Sequence, residues 1–405
     1  MKGPIPRFFR ALAARCLPGT LALPVLLLTS SASAAIVADH TCTDLSAIPE
    51  SAITAAKADL VIVYGHTSHG SQLTTGMDGL ALWKGSLYAW NGTGEDGALH
   101  LIDFYGNFND SGAQDLGNPD FTSWEAATRS YLQTHTSVNV VIWSWCGELS
   151  GASESEVDTY LSLMSGLETD FPGVTFVYMT GHLDGTGPEG TLNINNNRIR
   201  AYCEANNKVL FDFNDIECYD PDGLVNYMEK YADDACNYQA DTGTENWARD
   251  WQNSHTENVD WYSCEAAHSE PLNANRKAYA AWWLWARLAG WAGPSSVTDW
   301  ADAQDVGGWY SSWYGWLYWQ ESFGNWVYSP THGWQYGFPG STAEGLYIWD
   351  TSLGCWWWTR RGFYPYVYNF SLSGWFCITG GAAPNRAFWD CQTRQAVSEG
   401  DLGPG

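Results

Sequence analysis

Apolar residues in this chain come in short runs, and each run stops in polar, glycine-rich text. Leu60–Tyr64 (LVIVY), Val138–Trp143 (VNVVIW), Val174–Met179 (VTFVYM) and Lys208–Phe213 (KVLFDF) have the length and β-branched content of buried strands. Between them the spacing changes to that of helices. Phe121–Gln133 is one such segment, and Asn195–Asn206, with Ile199 and Cys203, is another. Ser153–Thr169 places Val157, Leu161, Met164 and Leu167 on one face, and Ser153 with Glu156 forms a capping box. Leu272–Leu288 is apolar on both faces near Trp282, Trp283 and Trp285, which predicts a buried helix. Strands alternating with helices predict an α/β domain over residues 35–293, a parallel sheet between two helical layers. Right-handed crossovers gather the strand C-termini at one edge, where ligands bind in such folds.

The pattern changes after Gly293-Pro294-Ser295-Ser296. Residues 294–306 read as a linker, 307–395 as a small all-β domain, and 396–405 as a flexible tail. Twelve of the 25 tryptophans lie between Gly307 and Thr393. A unit recurs there: aromatic strand, polar turn, Gly-Trp or Gly-Cys-Trp, aromatic strand, as in WVYSPTHGWQY, YIWDTSLGCWW and YVYNFSLSGWF. This predicts stacked β-hairpins whose neighbours supply the core. Core packing is the first reason for the tryptophans, and stacking on sugar rings or another flat apolar partner is the second.

Composition adds a compartment. Lys2, Arg7, Arg10 and Arg15, then LALPVLLL, then Ala32-Ser33-Ala34, read as a secretory signal over residues 1–34. Secreted or extracellular-surface localisation follows, with no membrane insertion expected. The net charge of −26 argues against nucleic acid and anionic lipid as partners. Nine cysteines remain beyond the leader: 42, 146, 203, 218, 236, 264, 355, 377 and 391. In an oxidising compartment they predict disulfides plus at least one free thiol, with the pairing open.

Chemistry concentrates at strand ends. Gly65-His66-Thr67-Ser68-His69-Gly70-Ser71 follows the first strand, where a serine on a tight turn presents its hydroxyl beside backbone N–H groups. The same residues also suit a helix cap and a glycine turn. Glu265-Ala266-Ala267-His268 precedes the last helix, so an acid could orient a histidine base. Thr180-Gly181-His182-Leu183-Asp184 follows the strand VTFVYM and reaches the same edge. His182 and Asp184 read as pocket-lining residues, as loop-bracing hydrogen-bond groups, or, with His66, His69 and His268, as ligands of zinc or another divalent ion. The spacing fits no metal signature, so no metal or cofactor is assigned. Asp220-Pro221-Asp222-Gly223 reads as an ordinary turn.

Residues 57–291 resemble the SGNH, or GDSL-like, hydrolase superfamily in these blocks. The resemblance implies a flavodoxin-like three-layer fold, Ser68 as nucleophile with Ser71 as its rival, His268 as base and Glu265 as its orienter. Gly106, in DFYGNFNDSG, and Gly147, after VNVVIWSWC, would contribute oxyanion N–H groups, with His66, His69, His182 and Asp184 lining the pocket. The sequence departs from that family: an extra residue separates Gly65 from Ser68, and Cys146-Gly147-Glu148 stands where Gly-x-Asn-Asp is expected. The leading expectation is a secreted serine esterase acting on an ester or an acylated carbohydrate. The alternatives are a non-catalytic extracellular or cell-surface protein that uses its aromatic repeats for binding or assembly, and a metal-dependent enzyme. An extracellular carbohydrate or cell-surface polymer is the expected partner, and oligomeric state is left open.

Overall fold

The computed structural model describes residues 35–291, 293, 300–301, 303–320, 323–338 and 341–402. The expected leader and residues 294–299 of the expected linker lie outside them. Seven strands form one sheet: β1 (Ile36–Ala38), β2 (Val61–His66), β3 (Trp90–Asn91), β4 (Leu99–Tyr105), β5 (Val140–Trp143), β6 (Thr175–Met179) and β7 (Val209–Phe211). Their order is β1-β7-β6-β5-β2-β4-β3, and every pairing is parallel. Ile62, Val63, Tyr64, Val140–Trp143 and Phe176–Met179 are buried, so the central strands carry apolar side chains on both faces.

Helices flank the sheet. They are α1 (Glu50–Asp59), α2 (Ser71–Lys84), α3 (Ser123–Leu132), α4 (Glu154–Asp170), α5 (Thr191–Ala205), α6 (Phe213–Glu217), α7 (Trp247–Ser254) and α8 (Pro271–Leu288). One group packs α1 and α2 on α8, and another packs α4 between α3 and α5. α4 starts with the expected capping box, Ser153 accepting from the Glu156 N–H and Glu156 accepting from the Ser153 N–H. α8 is buried nearly all round, Trp282, Trp285 and Lys277 included. The chain crosses from β2 to β4 on one side and to β5 on the other, so the ends of β2 and β5 flank a switch point. Clefts open at such places because adjacent crossovers diverge. A two-stranded hairpin, β8 (Asn237–Ala240) with β9 (Gly243–Asn246), precedes α7.

The C-terminal part is all-β and aromatic-rich. Eleven antiparallel strands run from β10 (Gln304–Val306) to β20 (Gln395–Ser398), each paired with its neighbour in sequence. It begins inside the expected linker, and Trp300 and Ala301 are already part of its core. Its end also differs from expectation. Residues 396–402 are not a free tail, because Glu399 is buried against Arg386. The polar turn in each repeat has a mechanical reason. Ser329, Asp350, Asn369 and Asp390 each accept the N–H two or three residues on and so close the turn.

The tryptophans divide differently from the packing expectation. Leu317, Val327, Leu346, Ile348, Val367, Phe376 and Phe388 make the core with Trp357. Trp309, Trp316, Trp326, Trp334 and Trp389 are exposed on the strands. Edge-to-face pairs such as Trp326–Tyr336, Trp349–Trp356 and Tyr368–Trp375 tie neighbouring strands together across that outer surface. An aromatic surface does not by itself select a sugar, and no other feature of the repeats points to carbohydrate, so that expectation is withdrawn. The expected disulfides are also corrected: all nine cysteines among the described residues are free thiols.

Candidate metal centre at the sheet edge

β2 ends at His66, and Thr67–Gly70 turn the chain into α2. The turn lies tight on the end of β5. A Cβ on Gly70 would stand 2.2 Å from Ser144 Oγ and 2.5 Å from His66 Cβ, so only glycine fits. This directs His69 inward, where it is buried. The segment after β5 brings Cys146, the segment after β6 brings His182, and the loop before β8 brings Asp234.

His69 is the centre of the group. Its Nε2 lies 2.9 Å from Asp234 Oδ2, and its Nδ1 lies 3.1 Å from Cys146 Sγ. Its ring stacks between His182, 3.7 Å away, and His268, 4.5 Å away. His182 is buried, and its Nδ1–H donates to the Leu183 carbonyl at 2.7 Å. That bond fixes the tautomer and leaves the Nε2 lone pair for a ligand. One ligand atom each of His69, His182 and Asp234 lies within 4.8 Å of the other two. Two imidazoles and a carboxylate match the donor set of open divalent sites, which leave positions for water or substrate. Burial lowers the His69 pKa despite its Asp234 partner, and so favours the neutral imidazole that metals require. Burial would raise the Asp234 carboxyl, but the His69 hydrogen bond and the neighbouring imidazoles hold it below its ordinary value.

A buried network holds the His182 loop. Glu217 Oε2 accepts the Leu183 N–H at 2.8 Å, while its Oε1 takes the Lys277 ammonium at 2.5 Å. Lys277 also donates to Gln72 Oε1, and Asn273 donates to Glu217. Beside this network Thr67 Oγ1 donates to Asp115 Oδ2 at 2.5 Å. Burial pushes the Asp115 carboxyl up to about 7, and the charge of Glu148 adds to the effect. Glu148 itself accepts the Cys146 N–H.

The expected serine machinery is not assembled. Among the described residues no hydrogen bond joins Ser68 or Ser71 to His268, or Glu265 to His268. Ser71 Oγ donates instead to the Ser68 carbonyl at 2.6 Å, which fastens the first turn of α2. Glu265 and His268 are both exposed, and His268 stacks on His69. The Gly106 N–H is already given to the His66 carbonyl at 2.8 Å, and Gly147 sits exposed in its turn. The serine-hydrolase expectation is therefore overturned. His66 also leaves the metal set: its Nδ1–H donates to the Thr67 carbonyl and its Nε2 faces Asp103 at 2.5 Å, so both nitrogens are engaged. Asp184 closes a local turn with Thr186. His69 and His182 are the expected residues that the fold does bring together. Cys146, Asp234, Asp103 and Asp115 were not singled out from sequence. A cysteine three residues past a buried strand is a usable signal for Cys146, whereas Asp234 sits in a loop with none.

A second group, Asp39, His40 and Asp215, lies past β1. There His40 bonds Asp215 at 2.5 Å and stacks on Tyr219, closing the group on itself. No family model matches this chain, and no curated protein or solved structure matches it either.

Proposed function

We propose that the protein is a metal-dependent enzyme whose divalent ion, zinc by donor type, is held by His69, His182 and Asp234. The observation that carries this reading is the convergence of those three ligand atoms, brought by the segments after β2 and β6 and the loop before β8. A bound ion supplies Lewis-acid chemistry to water or to an oxygen-bearing group of the substrate. The chain supplies the rest. His182 is oriented by the Leu183 carbonyl, its loop is braced by Glu217 and Lys277, and His69 is oriented by Cys146. The strand order supports an SGNH- or flavodoxin-like scaffold that has been turned to different chemistry. Export by the leader at residues 1–34 is part of the same proposal.

The test is zinc titration of chelator-treated protein against a chromogenic competitor. One equivalent bound by the wild type, and lost in Asp234→Ala, supports the reading. No binding, or unchanged binding in that variant, sinks it.

A second reading rests on the 3.1 Å distance from Cys146 Sγ to His69 Nδ1. Cys146, His69 and Asp234 also line up as thiol, base and orienter. The tautomer separates the two. A ligand His69 carries its proton on Nδ1, facing sulfur, whereas a base carries it on Nε2, facing Asp234. If rapid alkylation of Cys146 depends on His69 and is unaffected by zinc, the thiol reading stands in place of the metal.

A further inference from the structure

A large cavity lies on another face of α8 from Lys277. Its volume is about 1520 Å³, and Arg276, Tyr279, Trp283 and Arg287 line it, with Trp83 and Tyr88 opposite. These four helix residues recur at three- and four-residue spacing, so they form one stripe. Arg276 is only 3% exposed. Its Nε has no partner, and its one side-chain hydrogen bond is a 3.5 Å contact from Nη2 to the His40 carbonyl. Among the described residues it forms no ion pair. The Nε of Arg287 is unpartnered too.

Among the described residues the other buried arginine, Arg386, is paired, and so is the half-buried Arg200. Arg386 grips Asp350 with two nitrogens, at 2.7 and 2.9 Å, and Glu399 at 2.5 Å. Arg200 holds Asp212 at 2.6 and 2.8 Å. A guanidinium taken out of water without a partner is costly, and buried charges are ordinarily paired, so a bound anion would supply the partner the fold does not. Burial lowers Arg276 to about 10 against the opposing pull of the Asp220 and Asp215 charges, neither of which bonds to it, and this still leaves it charged at neutral pH.

We infer that this stripe of α8 binds a small organic carboxylate with a flat apolar body, its carboxylate on Arg276 and its body among Tyr279, Trp283 and Trp83. A planar carboxylate matches the guanidinium fork. A dianionic phosphate fits less well, because Asp39, Asp44, Asp222 and Asp260 also line the cavity. The aromatic walls suit a ring, and small-molecule sites commonly combine apolar walls with a few fixed polar groups. The site is distinct from the metal centre and does not depend on it.

The experiment is calorimetric titration of the full chain with 2-naphthoate, 2-naphthamide and 2-naphthyl phosphate. Naphthoate is expected to bind at least about tenfold more tightly than either control. Arg276→Met should abolish that preference and, having removed an unpaired buried charge, should raise the melting temperature of the ligand-free protein. Should Arg276→Met fail to fold, Arg276→Lys, which keeps the charge but loses the fork, is expected to weaken naphthoate several-fold. Equal affinity for the three probes, tighter phosphate, a preference that survives in the Arg276 variants, or no naphthoate binding at millimolar concentration would each overturn the proposal.

Discussion

The imidazole rings of His69 and His182 lie parallel, with centroids 3.7 Å apart and 4° between their planes. A nitrogen lone pair points in the plane of its own ring. One ion therefore cannot satisfy both rings while they stay stacked, and ligation must tilt one against the other. Zinc binding should break the stack and the His69–Asp234 hydrogen bond together, seen as large shifts of both histidines in 15N-labelled protein. Asp234→Ala should lose zinc outright. Cys146→Ala, which removes only the group behind His69, should cost about 10- to 100-fold in affinity. Competition titration ranks the two.

Asp115 should make stability fall as pH rises. Its folded pKa is raised to about 7 while its unfolded value is near 4, so the folded state binds the extra proton between those values. The stabilising effect is complete below about pH 4 and is lost as pH passes 7. Asp115→Asn keeps an oxygen for Thr67 Oγ1 and should remove up to about 4 kcal/mol of that dependence. Urea unfolding of both proteins from pH 4 to 8 measures it, and parallel slopes would refute it.

His332 acts in the opposite direction. Burial, then the Arg386 charge, lowers its folded pKa to about 3, so the fold holds a neutral ring. Arg386 Nη1 donates to its Nδ1, and its Nε2 meets the Tyr364 hydroxyl at 3.0 Å. The unfolded chain takes up the proton first, so stability drops as pH falls from 6.5 toward 3. The loss should reach about 3 kcal/mol by pH 4.5, and His332→Gln should flatten it. Thermal melts across that window check the sign.

Gly70→Ala should destabilise the chain by about 1–3 kcal/mol or more, because the new methyl meets Ser144, His66 and the Tyr64 hydroxyl inside contact distance. It should also weaken zinc, since the same turn aims His69. Gly147→Ala, with open space at its Cβ, is the control and should do neither.

How much of this was legible in the residues depends on where each signal resides. β2, β5 and β6 are buried on both faces, so their unbroken apolar text announces them. β4 reads LHLIDFY, with His100 and Asp103 interrupting the pattern, and so it escapes a search for apolar runs although β2 and β3 pair with it on either side. β1 follows directly on the expected leader and is hidden by it. The sheet edge could be inferred from strand order, and it does gather His69 and His182. Their partners could not be inferred, because Cys146 and Asp234 lie 77 and 165 residues from His69 in sequence. Ser68 and His268 illustrate the converse. Residue types in a familiar order carry no distance, and here the serine turn serves the helix start while the histidine stacks on a neighbour.

The unbroken neighbour-to-neighbour pairing of β10 to β20 has a kinetic consequence. Each strand finds its partner within a few residues, so loop-closure entropy stays small and contact order is low for so much sheet. Hairpins can add one after another as the chain emerges from the ribosome, without waiting for the C-terminus. Pulled from either end, the same sheet should unzip strand by strand, yielding a staircase of small force steps in place of one large rupture.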